Sequence, residues 1–168
     1  MKKTQILKII VDIIWIVTAP IGVPFILVFI PIILFYDFAN LEMKIMGIEL
    51  LVQSTFSKTL AILSLLNFLL IIYSLHLFRK TLRYFLNTKV FDVFVIDSFR
   101  NIGNILTISG VVSTFLSVTG SLYFDQKLRM ELGLNSNLTL IGLGIFFMIL
   151  SDVFHIAKSA KQENDLTI

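Results

Sequence analysis

Six ionisable side chains stand within or at the edges of long apolar runs: Asp12, His76, Arg79, Arg100, Asp152 and His155. Two carboxylates and two imidazoles are the donor types of a metal site, a proton relay or an ion-coupled gate, since a charge inside a bilayer is costly unless paired or put to use. Asp152 and His155 are three residues apart and so share one helix face. Neither HExxH nor any comparable ligand spacing accompanies them. The plainer expectation is structural: ion pairs at the membrane edge, such as Asp12 with Arg79 or Asp152 with Arg100. The chain has no cysteine, which removes disulfides, thiolate catalysis and thiolate-bound metals together. No nucleophile and base share a common depth in the apolar runs. The expectation is a protein that is not an enzyme and carries no cofactor or metal.

The elements that must position these residues are membrane spans. Of 168 residues, 57% are hydrophobic, against roughly 45–50% in a soluble domain, and the mean hydropathy is +0.91. Four runs, near Ile9–Tyr36, Thr59–Phe78, Ile102–Phe124 and Leu138–Ala157, reach the ~20 residues of helix that a hydrocarbon core requires. Backbone groups in lipid must be satisfied within the segment, so the runs are expected as helices. The fold class is an all-α membrane protein, a four-transmembrane-helix bundle forming one integral membrane domain over residues 1–168. The basic start at Lys2 and Lys3 resembles a signal peptide, but the apolar run outlasts an h-region of about 7–15 residues. It is expected to remain as the first span.

The 14 Lys and Arg residues give a net charge of +3 and a pI near 9.2, but they are dispersed at the ends of apolar runs and argue against direct nucleic-acid binding. They read as topology signals. Lys2, Lys3, Lys8, Arg79, Lys80, Arg83, Lys89, Arg100, Lys158 and Lys161 fall on one side; Lys44, Lys58, Lys127 and Arg129 fall on the other. The basic excess marks the cytoplasmic side, so both termini, the 79–101 connector and the 158–168 tail are expected inside.

Span one holds all three prolines, Pro20, Pro24 and Pro31. A kinked helix is the plain reading, and a broken transporter-type helix the sharper one. In span three Ser109, Ser113 and Ser117 recur every four residues, as do Gly110 and Thr114, which suits a close packing face. Two other segments alternate in a strand-like way, Leu41–Ile45 and Leu128–Leu132, and suggest a small strand-containing extracytoplasmic cap; an interfacial helix over 38–52 is the alternative. The connector "NTKVFDVFVIDSFRNIG" is itself half apolar. Asp92 is placed to cap a helix starting near Val93, and the segment is expected to lie along the bilayer as an interfacial cytoplasmic helix before span three.

The connector's "KVFDVFVIDSFRNIG" and the closing "ENDLTI" resemble two characteristic segments of the bacterial family called domain of unknown function 2975. The first matches its pattern of phenylalanine, small polar residue, basic residue and isoleucine, here Phe91, Asp92, Arg100 and Ile102. The second matches at Glu163, Asn164, Asp165, Leu166, Thr167 and Ile168. The resemblance implies a small four-span inner-membrane protein with no established activity, and a cytoplasmic helix-turn-helix transcription regulator as a contextual partner. Phe91, Asp92, Arg100 and Glu163–Ile168 are then candidate docking residues. The competing expectation is a small transporter or channel component working as a homo-oligomer.

Overall fold

The computed structural model describes residues 2–35, 42–45, 48–51, 54–86, 92–124 and 135–166. Four helices dominate: α1 (Lys2–Phe35), α2 (Thr55–Leu86), α3 (Val93–Phe124) and α4 (Ser136–Leu166). All four contain segments long and apolar enough to cross a membrane. Each helix outruns its apolar core, because hydropathy marks where hydrocarbon ends while backbone hydrogen bonding continues into the polar zone. Local signals set the starts. Ser54 Oγ accepts from Ser57 N at 3.1 Å while Ser54 N donates to Ser57 Oγ at 2.9 Å, a reciprocal cap on α2. Asp92 Oδ1 accepts from Phe94 N at 2.9 Å and Asn135 Oδ1 from Leu138 N at 2.9 Å, capping α3 and α4.

α1 runs unbroken through Pro20, Pro24 and Pro31. It is apolar on every side, and of its described side chains only Val11, Ile26 and Ile33 are buried hydrophobics. Such a helix belongs in lipid. The helices lie in an antiparallel row in chain order, and among the described helices the backbone of α1 approaches that of α2 alone.

Packing differs along the row. α3 and α4 touch through small residues: a Cβ on Gly103 would lie 2.7 Å from Gly144 O, and one on Gly110 would lie 2.9 Å from Asn137 O. Ser151 Oγ donates to Ile96 O at 2.8 Å across the same seam. α2 meets α3 through Asn67, whose Nδ2 donates to Ser109 O at 3.1 Å and Ser113 Oγ at 2.8 Å. Ser109, Gly110 and Ser113 are buried and serve packing, while Ser117 is half-buried and Thr114, in the same expected stripe, is exposed.

One apolar cluster joins α1, α2 and α3 around Ile26, Ile33, Leu60, Leu65 and Leu116. The other joins α2, α3 and α4 around Val95, Phe99, Ile102, Leu106 and Phe147. This second cluster corrects the expectation of an interfacial helix. Val93 begins α3 itself, and Val95, Ile96 and Phe99 are buried against neighbouring helices instead of lying along a bilayer surface. The apolar content of the connector is core.

Between α1 and α2 a hairpin pairs β1 (Glu42–Ile45) with β2 (Ile48–Leu51), Glu42 opposite Leu51 and Ile45 opposite Ile48. Two four-residue strands do not amount to the cap that the alternation suggested, since so short a pair has little independent stability. Leu41 and the Leu128–Leu132 segment lie outside the described residues, as do Phe91, Thr167 and Ile168.

Candidate functional site

The ionisable residues gather at one end of the row, formed by the start of α1, the end of α2, the start of α3 and the end of α4. Lys8, Arg79, Lys80, Arg83, Arg100, Lys158 and Lys161 all belong to this basic end. The row order then divides the six candidates into two groups.

The first group lies between α1 and α2. Arg79 Nε donates to Asp12 Oδ1 at 2.5 Å, and Lys8 Nζ stands 3.7 Å from Asp12 Oδ2. Arg79 also covers the Trp15 ring, its Cζ 4.3 Å from the centroid, and His76 stands beside the same indole with ring centroids 5.8 Å apart. Spacing explains the assembly: Asp12 and Trp15 are three apart on α1, His76 and Arg79 three apart on α2, so each pair shares a face. Arg79 thereby ties α1 to α2 by charge and by cation–π attraction together. The pair is only about one-fifth exposed. Asp12→Asn is expected to cost about 1 kcal/mol, most of it vanishing in an Arg79→Gln background. A double-mutant cycle on unfolding in mixed micelles measures this coupling.

The second group lies between α3 and α4. Arg100 Nη2 donates to Asp152 Oδ1 at 3.1 Å, with both side chains more than half exposed. Beside this pair is a cleft of about 330 Å³, lined by Asp97 and Arg100 from α3 and by His155, Lys158, Ser159 and Gln162 from α4. Val93 and Ile96 line it as well and give it an apolar side. The α4 residues fall at successive turns of one face, and the α3 pair is three apart. Sequence reasoning had singled out Arg100 and His155 as candidates and Lys158 only as a topology signal, and it brought neither Asp97, Ser159 nor Gln162 to the cleft, nor Trp15 to the first group.

Asp12 and His76 therefore stand apart from Asp152 and His155, and among the described residues no three His, Asp or Glu side chains come together as metal ligands would. Of the candidate docking residues, Asp92 is spent on the α3 cap. α4 stays helical to Leu166, so Glu163, Asn164, Asp165 and Leu166 extend the helix.

Asn67 is the polar residue that sequence reasoning missed. It is a lone amide in the middle of an apolar run, and its partners lie 42 and 46 residues away. A polar residue at that depth is itself the available signal.

A family profile described as Protein of unknown function (DUF2975) matches residues 17–168. No curated protein and no solved structure matches the chain. The matched region holds the whole α3–α4 cleft, the Asn67 bonds and the closing helix, while Asp12 and Trp15 precede it. With nearly its whole length matched and its four helices fit to span a membrane, this chain belongs to the DUF2975 family.

Proposed function

We propose that the protein is a non-enzymatic interaction protein of the bacterial inner membrane, with both termini in the cytoplasm and its basic end holding a cytoplasmic partner. The observation that carries this reading is helix length. α2, α3 and α4 have 32, 32 and 31 residues, or roughly 48 Å of helix against a hydrocarbon core of about 30 Å. The surplus at the basic end comprises the end of α2, the start of α3 and the end of α4. An aromatic cluster braces it, Tyr84 stacking on Phe94 at 4.4 Å and Phe85 meeting Phe154 at 5.7 Å. A rigid three-helix platform at headgroup level presents a surface without needing any chemistry of its own.

A helix-turn-helix transcription regulator is the partner that the family resemblance suggests. The excess of basic side chains at this end supports the inward orientation. Purification of the full chain in mild detergent is expected to retain a soluble DNA-binding protein in stoichiometric amount, and a chain ending at Ala160 to lose it while keeping its thermal stability. A full chain that purifies alone and passes ions or solutes in liposomes would favour the oligomeric transporter instead. An alkaline phosphatase fused after Ile168 is expected to stay inactive in cells; an active fusion would reverse the orientation.

A further inference from the structure

We infer that the α3–α4 cleft binds the zwitterionic headgroup of an aminophospholipid, a phosphoethanolamine group with its ammonium on Asp97 and its phosphate on Lys158. This does not depend on partner docking. It requires only that the cleft sit at headgroup level.

The charges in and around the cleft fall into two classes. Arg100 is committed to Asp152. Asp97 and Lys158 line the same cleft with opposite charges, yet among the described residues neither forms an ion pair, with the other or with any third group. A guest bearing only negative charge would suit Lys158 and be repelled by Asp97; a purely cationic guest would meet the reverse. A guest with an ammonium a few bonds from a phosphate satisfies both. A primary ammonium offers three N–H donors to the two Asp97 oxygens, while Ser159 and Gln162 add neutral donors for the phosphate beside Lys158. A choline headgroup has no N–H to donate and meets Asp97 by charge alone.

The apolar lining selects a lipid over a soluble zwitterion. Val93 and Ile96 form one side of the cleft, and further along α3 on the Asp97 face, at +11 and +14, the exposed Ile108 and Val111 continue an apolar surface. A headgroup seated between Asp97 and Lys158 can lay its acyl chains there. Basic pockets between membrane helices on the cytoplasmic side are established settings for lipid phosphate, and Asp97 adds the partner for an ammonium.

The test is native mass spectrometry of the full chain in detergent with equimolar phosphatidylethanolamine, phosphatidylglycerol and phosphatidylcholine of identical acyl chains. The wild type is expected to carry the ethanolamine lipid about tenfold over either competitor. Asp97→Asn is expected to bring it to parity with the glycerol lipid, and Lys158→Gln to reduce adducts of all three. Both side chains lie outside the buried core, and the variants' melting temperatures check their folding. Millimolar O-phosphoethanolamine without acyl chains is expected to leave the lipid adduct in place. Equal or preferential binding of phosphatidylglycerol or phosphatidylcholine by the wild type overturns the proposal whatever the variants do. So does an undiminished ethanolamine preference in Asp97→Asn, or displacement of the lipid by the soluble headgroup.

Discussion

Phe99→Ala is expected to destabilise the protein by about 3–5 kcal/mol, the range for truncating a buried aromatic. Phe99 is 3% exposed and its ring meets three others: Phe147 at 5.7 Å, Phe154 at 5.6 Å and Phe85 at 5.9 Å. From α3 it touches rings of α2 and α4 at once. Its depth sets where in that range the loss falls. Between membrane helices surrounded by lipid, packing contacts alone are lost; in a platform at headgroup level, where water enters, burial from water adds to them. Phe115 provides the contrast, since it is also on α3 but 71% exposed. Phe115→Ala is expected to change stability by less than about 0.5 kcal/mol. Reversible unfolding in mixed micelles titrated with a denaturing detergent compares the two.

Gly144→Leu is expected to cost about 3 kcal/mol or more, because the α3–α4 seam has no room for a side chain at that point. A Cβ on Gly144 would stand 2.7 Å from Thr107 N and 2.8 Å from Gly103 O, with the Thr107 hydroxyl nearer still. Backbone atoms cannot swing aside as a side-chain tip can, so the helices must separate. Separation would also stretch the Ser151 bond to Ile96 and open the cleft beyond it. Gly142, two residues away, has nothing within 4 Å of its would-be Cβ. Gly142→Leu is expected to be tolerated or to stabilise slightly, since glycine is a poor helix former by about 1 kcal/mol. The same unfolding assay reads both, and equal effects would place the seam elsewhere.

The features legible in the sequence were those whose cause is local. Apolar length identified the four spans, the spacing of Ser109, Gly110 and Ser113 identified a packing face, and Asp92 announced a cap one residue before α3 begins. The Asp12–Arg79 pair followed from depth: both stand within a turn of the basic edge of antiparallel neighbours.

What the sequence concealed depends on distant partners. The apolar residues of Val93–Phe99 suit a bilayer surface as well as a core, and only Tyr84, Phe85, Phe147 and Phe154 on other helices decide for the core. The pattern of a buried helix start and of an interfacial helix is the same until a neighbour covers it. The cleft was hidden for a similar reason. Asp97 and Lys158 look like ordinary solvated charges until the close α3–α4 approach at Gly103 and Gly144 sets them on one cavity. The helical continuation to Leu166 lies past the apolar run that ends near Ala157, and its polar composition carries no apolar period for a sequence reading to follow.

The central claim is that residues 93–99 begin a buried stretch of α3 within a packed helical platform. Since the chain contains no cysteine, single thiols can be introduced one at a time. The decisive measurement is labelling of Val95→Cys and Asp97→Cys in lipid nanodiscs, with a water-soluble maleimide and, separately, with an apolar maleimide that partitions into the bilayer. Val95 is fully buried and Asp97 is exposed. The account predicts that the thiol at 95 resists both reagents until the protein is unfolded, while the thiol at 97 reacts with the water-soluble one. Ready modification of the thiol at 95 by the bilayer-partitioning reagent in the folded protein would show the segment lying along the membrane surface and would contradict the account.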